Sequence, residues 1–586
     1  MKINYLYFAF IALLITICSL IHFWGINWGT PSWERSFQVF KSDSQITELA
    51  PKMIELRSKL YSKAISFSNR KTKFTKEDFD NYFTPHNLKP FDTLSNDIKL
   101  DFMRGYLLGL VLSDEQQVLN AMANIHPEKL DFDPDTNYTH GAFYYYSLGA
   151  FLMIGKYLQF LHITNDPNLY FLHPNYIENV YLLARSFSVI FSIFCAILLF
   201  FIGNNIFNKK IGVLSSLFFS LSPLILTYSH QVKPHTFGMF LMLLSFYLCS
   251  RAIITSERTK YVLVSVILGL SSAILLSNIV FVLMIPLCEF YTRKNSTKYF
   301  RWGTTILPIF LVFIVYVILT PYSVLSFQRF FNSAIAHNYV VYGYGKFGIR
   351  GAILFLYGVF NFGHFWVLIP AIVLGAIYLY KQKKPENSFL LTISLVFTVF
   401  AGFFMKHPGV FTLTMPFLCI FAAAGIFALT NSTLFNKIIG YSYGLLIVCS
   451  LILSTCFYEQ LFVQKGNLTF AGQWINENIP KKSSIGIPTG WALPGHFPAI
   501  EFLSYKLINI PLDESVINQN SKKFPEYLVV THPFMQISTF EKIILNYKPI
   551  KMFEAPKKLL GIPFSNDFIP TENMDVLILK KNDKTS

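Results

Sequence analysis

The sequence predicts a polytopic α-helical membrane protein that carries a small α/β domain at its C-terminal end. Of its 586 residues, 53% are hydrophobic and only 14% are charged, whereas soluble domains carry roughly 25% charged residues. Apolar runs long enough to cross a bilayer recur along the chain. After residue 457 these runs stop, and shorter segments typical of strands and one helix follow.

The first apolar run, YLYFAFIALLITICSLIHFW, is long enough to span a bilayer and is followed by no small-residue cleavage site. We therefore interpret it as an uncleaved anchor rather than a signal peptide. Ten further runs bring the predicted total to about eleven transmembrane helices. They lie at about 179–203, 211–229, 236–254, 260–276, 278–291, 303–321, 352–380, 388–405, 410–430 and 435–457.

The distribution of Lys and Arg among the short loops predicts the orientation of the chain. If the N-terminus lies inside and the tyrosine-rich run 143–163 lies as a helix at the outer interface, the basic loops NNIFNKK, SERTK, YTRKNSTKYFRW, KQKK and NSTLFNK all face the cytoplasm. This arrangement makes residues 1–457 the membrane domain, with 25–178 as an outward loop. The tyrosines Tyr144, Tyr145 and Tyr146 are then predicted to anchor the helix at the interface.

The C-terminal part, residues 458–586, is predicted to be a separate extracytoplasmic α/β domain. AGQWINENIPKKSSIGI is typical of a helix followed by a strand, and EYLVVTH, PIKMFEAP and DVLILKK are typical of further strands. A helix is expected near 538–546.

Composition also excludes some classes of function. All seven cysteines fall inside apolar segments, so neither a disulfide nor a cysteine-based zinc site is expected. The net charge of +16 is explained by loops that set membrane topology, so nucleic acid is not an expected partner. The abundance of Phe, Ile, Lys and Asn is typical of an AT-rich bacterial genome, which favours a bacterial inner membrane.

The outward loop contains Asp114 and Glu115, followed by YTHGAFYYYSLG. This order resembles the Y-x-H-P-P-L-Y-Y-Y segment of the protein O-mannosyltransferase type (family 39) of polyprenyl-phosphate-sugar glycosyltransferases. That family shares the C-type fold with the lipid A aminoarabinose transferase. The segments 182–251, 406–429 and 471–480 are similar to the family's second to fourth spans, late spans and outer domain. The resemblance implies transfer of a sugar from a polyprenyl-phosphate donor to a protein, lipid or glycan acceptor.

The sequence departs from the family pattern at three places. His-Pro-Pro is replaced by His140-Gly141-Ala142, and His235 stands where an Asp after Pro is often found. An insertion of about 70 residues also separates the first span from the acidic pair, and we interpret it as a cap. A divalent metal is possible under the resemblance, but no cofactor is firmly predicted.

Asp114 is predicted to be the catalytic base, with Glu115 in support. Ser113 and Gln116 have the spacing of a capping box, which would start a helix at Ser113 and place both carboxylates in its first turn. Spacing alone favours an ordinary acidic first turn; the family resemblance implies the role of base for Asp114.

Six further residues are candidates for substrate binding, because cations near the outer face could stabilise a leaving phosphate. Lys233 and His235 could also hold a metal together with a carboxylate. Arg185 lies near the outer end of its span, where snorkelling to the interface is the alternative. The six candidates are His140, Arg185, Lys233, His235, Lys406 and His407.

Two other classes of function stay open at this point. A transporter or flippase would place ionisable residues near mid-bilayer or show two related halves, and few such charges and no repeat are evident in the sequence. A catalytically inactive envelope-assembly protein of the same fold is the other alternative, and the retained acidic pair weighs against it.

Overall fold

Each of the eleven predicted apolar segments contains a helix among the residues that the computed structural model describes. The structure describes residues 5–68, 89, 91–135, 138, 140–164, 166–257, 259–294, 303–334, 353, 356–357, 360–400, 408–487, 495–510, 524–535, 543–564 and 571–582. Within these residues, four helices are long and apolar enough to cross a membrane, and a fifth span results if one bent helix pair is counted. The remaining six apolar helices are shorter, with 10–17 residues.

The described residues of the N-terminal half form helices α1 to α12. They are α1 Tyr5–Phe23, α2 Trp33–Val39, α3 Asp43–Ser68, α4 Asn96–Leu108, α5 Ser113–Ala123, α6 Ala142–Tyr157, α7 Pro167–Leu172, α8 Pro174–Ile202, α9 Lys209–Ser220, α10 Pro223–Ser229, α11 His235–Thr255 and α12 Lys260–Ile274. The pair α9 and α10 bends by 58° at the break between them.

The C-terminal half continues with membrane helices and ends in the sheet. The helices are α13 Met284–Lys294, α14 Gly303–Leu319, α15 Tyr322–Leu325, α16 Ile369–Lys381, α17 Pro385–Phe400, α18 Pro408–Phe411, α19 Met415–Thr430, α20 Leu434–Val463, α21 Asn467–Asn478 and α22 His532–Met535. The strands are β1 Ser484–Ile487, β2 Lys506–Asn509, β3 Tyr527–Thr531, β4 Tyr547–Phe553, β5 Lys558–Leu559, β6 Ile562–Pro563 and β7 Val576–Lys581.

The predicted helix–strand order of the C-terminal domain is confirmed for α21, β1, β3, β4 and β7. The five-stranded sheet has the order β2-β1-β3-β7-β4, with β2, β1 and β3 parallel and β7 antiparallel to both β3 and β4. The sequence did not predict β2, β5 or β6. Most of the helix expected near 538–546 lies outside the described residues.

The helices α2, α3 and α4 and the C-terminal sheet share one hydrophobic core. Buried side chains of α2, α3 and α4, such as Met103, pack against sheet residues such as Val529. The backbone beside α4 also extends the sheet, since Leu94 N–H donates to the carbonyl of Leu507 at 2.9 Å. The inserted residues before the acidic pair therefore cover the β2 edge of the sheet and join the two predicted domains.

The helix predicted at the interface is present as α6, but its tyrosines do not all face the membrane surface. Tyr144 and Tyr145 are fully buried in a cluster with Val118 of α5 and Phe187 of α8. The interfacial interpretation is wrong for these two residues because the helix turns them towards the protein. The exposed aromatic residue of α6 is Tyr157 at its other end, which is 87% exposed.

The helices α16 and α19 cross at two glycines. A Cβ atom at Gly375 would lie 1.8 Å from the carbonyl oxygen of Phe421, and one at Gly425 would lie 2.1 Å from that of Ala371. Small residues of this kind allow membrane helices to pack with their backbones in contact. The two glycines therefore fix the separation of the two helices.

We expect Gly375→Ala to lower the thermal unfolding temperature of the protein in detergent, because the helices would have to separate. Overpacking of a well-packed core typically costs about 1–3 kcal/mol. Gly303→Ala is the matched control, because a Cβ atom there has no neighbour within 4 Å. Equal unfolding temperatures for the two variants would contradict the close packing.

Candidate active site

The acidic pair lies in the first turn of α5, as the sequence predicts. The predicted cap is displaced by one residue: Leu112 is the N-cap residue, Ser113 is the first helical residue, and no side-chain hydrogen bond caps the helix. Adjacent residues of a helix project in directions about 100° apart. Asp114 and Glu115 consequently face different surroundings.

Glu115 forms a fully buried ion pair with Arg185 of α8. Arg185 Nε donates to Oε1 at 2.9 Å and Nη2 donates to Oε2 at 2.7 Å, and both side chains are 0% exposed. The backbone N–H of Val232 donates to Oε1 at 2.7 Å. A buried carboxylate is stable only when paired and hydrogen-bonded in this way. Glu115 therefore links α5 to α8 and to the loop between α10 and α11.

Arg185 also holds the turn that follows the first membrane helix. Its Nη1 donates to the carbonyls of Ile26 at 2.6 Å and Trp28 at 2.7 Å, and its guanidinium lies 4.9 Å from the centre of the Trp28 ring. Snorkelling, the alternative considered for Arg185, does not occur, because the side chain points into the protein. Four of the five N–H groups of the guanidinium are engaged in these hydrogen bonds, and the predicted role of Arg185 in substrate binding stays a prediction.

A second buried arginine, which the sequence analysis missed, supports the same turn from the other side. Arg35 Nη1 donates to the carbonyl of Gly29 at 3.3 Å and Nε to that of Tyr106 at 3.1 Å, while Nη2 donates to that of Gly109. Gly29 has a φ of +60°, a conformation that favours glycine. Arg35 thereby fixes the link between α4 and α5 that leads to the acidic pair.

Asp114 faces a different neighbour, Lys233. The Nζ of Lys233 lies 2.9 Å from Oδ2 of Asp114, and the Asp114 side chain is 49% exposed whereas that of Lys233 is 8% exposed. Burial is the largest single influence on the pKa of Lys233 and lowers it, but the attraction and hydrogen bond of Asp114, together with Tyr228 and Glu115, raise this pKa above its usual value. Lys233 is therefore a fixed positive charge beside an accessible carboxylate.

The loop between α10 and α11 is held so that it contacts both carboxylates. Ser188 Oγ donates to the carbonyl of Gln231 at 2.7 Å, next to the Val232 N–H that binds Glu115. Lys233 then follows one residue later, with its Nζ 5.6 Å from the centre of the Tyr228 ring. The structure thus brings four predicted residues together, namely Asp114, Glu115, Arg185 and Lys233.

His140 lies at the start of α6, where the chain pairs with the end of α12. It forms an antiparallel bridge with Leu275, and Gly141 N–H donates to the carbonyl of Ile274 at 2.9 Å. His140 lines a small pocket together with residues that include Tyr138 and Tyr322. Its predicted role in binding donor or acceptor stays a prediction.

His235 is the first residue of α11 and is 4% exposed. Its ring centre lies 5.1 Å from that of Tyr228, the residue that also contacts Lys233. A Cβ atom at Gly409 would lie 2.4 Å from Nε2 of His235, so the backbone of α18 approaches this imidazole closely. The other two predicted cations, Lys406 and His407, lie outside the described residues.

Within the part of the chain that the structure describes, no group of three or more His, Cys, Asp or Glu side chains is placed to hold a metal ion. The position beside Asp114 where a cation would be expected holds the ammonium of Lys233. The predicted possibility of a divalent metal therefore gains no support from the described donor groups.

The stability effects of replacing the two partners of the buried pair are expected to be strongly non-additive. Arg185→Met or Glu115→Gln alone leaves a buried polar group uncompensated, which typically costs about 3–5 kcal/mol. The double variant should cost less than the sum of the two single variants when unfolding is followed in detergent. The exposed pair Glu55 and Lys59 is the control and should show a coupling of at most about 0.5 kcal/mol. Strict additivity at the buried pair would contradict the assignment.

Comparison with known proteins identifies one family. Residues 177–322, which run from the start of α8 to the start of α15, match the family described as dolichyl-phosphate-mannose-protein mannosyltransferase. This segment contains Arg185, Lys233 and His235. No protein in the curated comparison matches the sequence.

Two solved structures show a distant likeness. The archaeal oligosaccharyltransferase AglB from Archaeoglobus fulgidus, in complex with an inhibitory peptide and a dolichol-phosphate, is 10% identical with a TM-score of 0.40, and the alignment covers 78% of this chain and 71% of AglB. ArnT from Cupriavidus metallidurans in the apo state is 11% identical with a TM-score of 0.40, covering 79% and 93% of the two chains. Over residues 177–322, the match to the mannosyltransferase family confirms the resemblance predicted from the sequence.

Proposed function

We propose that this protein is an inverting glycosyltransferase that moves a sugar from a polyprenyl-phosphate donor to an acceptor at the outer face of the membrane. The observation that carries the proposal is the unequal placement of the two carboxylates. Glu115 is buried and bonded on both oxygens, whereas Asp114 is half-exposed beside a lysine. One accessible carboxylate next to one fixed cation matches the needs of this reaction.

In the proposed reaction Asp114 acts as the general base. A nucleophilic group of the acceptor, such as a hydroxyl, attacks the anomeric carbon and gives its proton to the Asp114 carboxylate. The bond between that carbon and the phosphate oxygen breaks, and the bonding electrons leave with the phosphate. A retaining mechanism would need a second carboxylate as nucleophile, and Glu115 is occupied by its hydrogen bonds. A single displacement with inversion is therefore the reaction that the site favours.

Lys233 is proposed to stabilise the leaving phosphate. Its ammonium is almost buried and stays protonated, so its charge is fixed in a place that water screens poorly. In the absence of substrate it is held by Asp114. When a donor phosphate binds, Lys233 could exchange Asp114 for the phosphate, which would free the carboxylate to accept a proton at the same time.

The position of the site along the helices supports an outward-facing reaction. Arg185 is separated from the end of α8 at Ile202 by about 26 Å of helix, and Lys233 comes just before the start of α11. The connections after α8 and after α11 carry the basic residues that the positive-inside rule assigns to the cytoplasm. The site therefore lies towards the opposite, outer ends of these helices, where a lipid phosphate would emerge from the bilayer.

The match of residues 177–322 to a family of lipid-phosphate-dependent mannosyltransferases supports the donor class. The matched segment includes Lys233, which we assign to the phosphate. It does not include Asp114 and Glu115, which precede the segment in the chain. We propose a polyprenyl-phosphate sugar as donor and a protein, lipid or glycan as acceptor.

We expect Asp114→Asn to abolish transfer while folding is retained. The amide has almost the same shape but cannot accept the proton, and a general base typically contributes about 10²–10⁴-fold to the rate. Transfer would be measured with purified protein, labelled polyprenyl-phosphate sugars and bacterial envelope acceptors. A loss of less than about tenfold would contradict the role of Asp114 as base.

The chain offers a closely matched control, Asp97→Asn. Asp97 lies in the first turn of α4, is 52% exposed and lies 2.9 Å from Nζ of Lys52. Asp97 therefore resembles Asp114 in its position in the helix, in its exposure and in having a lysine partner. It lacks the other residues of the site around it. Unchanged transfer by Asp97→Asn would show that the loss in Asp114→Asn is not caused by breaking a surface ion pair.

The proposed orientation is tested by labelling single cysteines in intact cells with a membrane-impermeant maleimide. Glu128→Cys, in the loop before α6, should be labelled from outside, and Lys384→Cys, between α16 and α17, should be protected until the membrane is broken. Cys449 and Cys456 are exposed and would be replaced by Ala in the background. Labelling of both positions from the same side would refute the outward-facing site.

A further inference from the structure

A short hairpin of the C-terminal domain presents an unusual turn. The strands β5 and β6 pair Lys558 with Pro563 and Leu559 with Ile562, which leaves Leu560 and Gly561 as a two-residue loop. Both loop residues have positive φ, +50° for Leu560 and +81° for Gly561. This is the geometry of a type I′ turn, in which Asn-Gly or Asp-Gly is strongly preferred. Leu560 therefore occupies a position that normally favours a small polar residue.

Neither folding nor solubility explains a leucine at this position. A non-glycine residue in the left-handed region costs of order 1 kcal/mol or more, and a leucine lacks the side-chain oxygen that reduces this cost for Asn or Asp. Leu560 is 84% exposed, and the neighbouring Ile562 is 41% exposed, so their apolar surfaces gain little from packing within the domain. An apolar surface outside the chain would account for both residues.

The topology of the sheet places this hairpin at the end of the domain nearest the membrane. Asn573, just before β7, donates through Nδ2 to the carbonyl of Leu461 in α20 at 2.5 Å. β7 then runs about 17 Å away from this end, from Val576 to Lys581. The antiparallel β4 returns along it, since Tyr547 pairs with Lys581 and the strand ends where Phe553 pairs with Val576. The β5–β6 hairpin begins a few residues after β4 ends, so it lies at the same end of the sheet as Asn573.

Direct contacts hold the hairpin against the last membrane helix. Phe564, immediately after β6, stacks on Phe457 of α20 with ring centres 4.4 Å apart and an angle of 9° between the rings. Leu559 packs against the same hydrophobic cluster as the membrane helices. α20 itself presents exposed apolar residues along its length, such as Leu445 and Ile452. The exposed tip of the hairpin thus lies next to a membrane helix that presents apolar residues.

We propose that the tip of the β5–β6 hairpin inserts into the interfacial region of the outer lipid leaflet beside α20. Lys557 and Lys558 directly precede the apolar tip and are exposed, and Lys557 also pairs with Asp575 at 3.2 Å. An apolar tip next to two exposed lysines has the composition of a membrane-surface anchor, because the lysine ammonium groups can reach lipid phosphates. This contact would fix the height of the C-terminal domain above the membrane, and it does not depend on the proposed catalytic activity.

The proposal is tested by placing a fluorophore at the tip in full-length protein. Leu560→Cys, in the background with Cys449→Ala and Cys456→Ala, is labelled with bimane and reconstituted into phosphatidylcholine–phosphatidylglycerol vesicles. The five other cysteines are buried. We expect nitroxide-labelled phosphatidylcholine to quench the probe several-fold more strongly than aqueous iodide does.

Leu545→Cys is the matched control position. Leu545 is a leucine of the same domain that is 78% exposed, but it lies beside Asn546, which bonds Asn582 at the far end of β7. Its probe should be quenched by iodide and not by the lipid nitroxide. Quenching of the Leu560 probe by iodide alone would overturn the proposal, and protection from both quenchers would overturn it in favour of a protein partner at the tip.

A second variant separates lipid contact from folding. Leu560→Asn supplies the residue that the turn prefers, so its unfolding temperature in detergent should equal or exceed that of the native protein. With the probe moved to Ile562→Cys, the same substitution should lower quenching by lipid nitroxide at least twofold. Unchanged lipid quenching in Leu560→Asn would show that Leu560 does not insert.

Discussion

The buried ion pair between Glu115 and Arg185 is the interaction on which the arrangement of the site depends. Neither charge could remain inside the protein alone, since an unpaired buried charge costs several kcal/mol. Once the two are joined, Arg185 still has donors left for the turn after α1, and Glu115 accepts from Val232. A single pair therefore ties together the first membrane helix, α5, α8 and the loop before α11.

The buried pair gives Asp114 and Glu115 different roles. With Glu115 fixed inwards, the direction of the first turn of α5 is set, and Asp114 is turned towards Lys233 and solvent. Arg35 holds the preceding link through the carbonyls of Tyr106 and Gly109. The accessible carboxylate is thus positioned by residues that need not touch a substrate, which is how pre-organised sites keep their reacting groups in place.

The sequence was sufficient to predict the apolar helices, because hydrophobicity over about 20 residues reports membrane spans directly. It also placed the acidic pair in a first turn. It could not assign Arg185 to Glu115, because the two are 70 residues apart and both neighbouring carboxylates were equally available as partners. The position of Arg185 within an apolar span was nevertheless a signal that it has a buried partner.

Tyr144 and Tyr145 were misassigned because only tertiary packing decides which side of a helix is covered. The strands β5 and β6 are too short to give an alternating pattern.

The central claim is that Glu115 and Arg185 stay paired throughout the reaction while Lys233 exchanges Asp114 for the phosphate. A cryo-electron microscopy structure of the full-length protein in lipid nanodiscs with bound polyprenyl phosphate tests it most directly. We expect the phosphate to lie within hydrogen-bond distance of Lys233 Nζ, Asp114 to have lost this contact, and the pair of Glu115 and Arg185 to be unchanged. A phosphate bound by Arg185, with Glu115 released and Lys233 still on Asp114, would contradict the account.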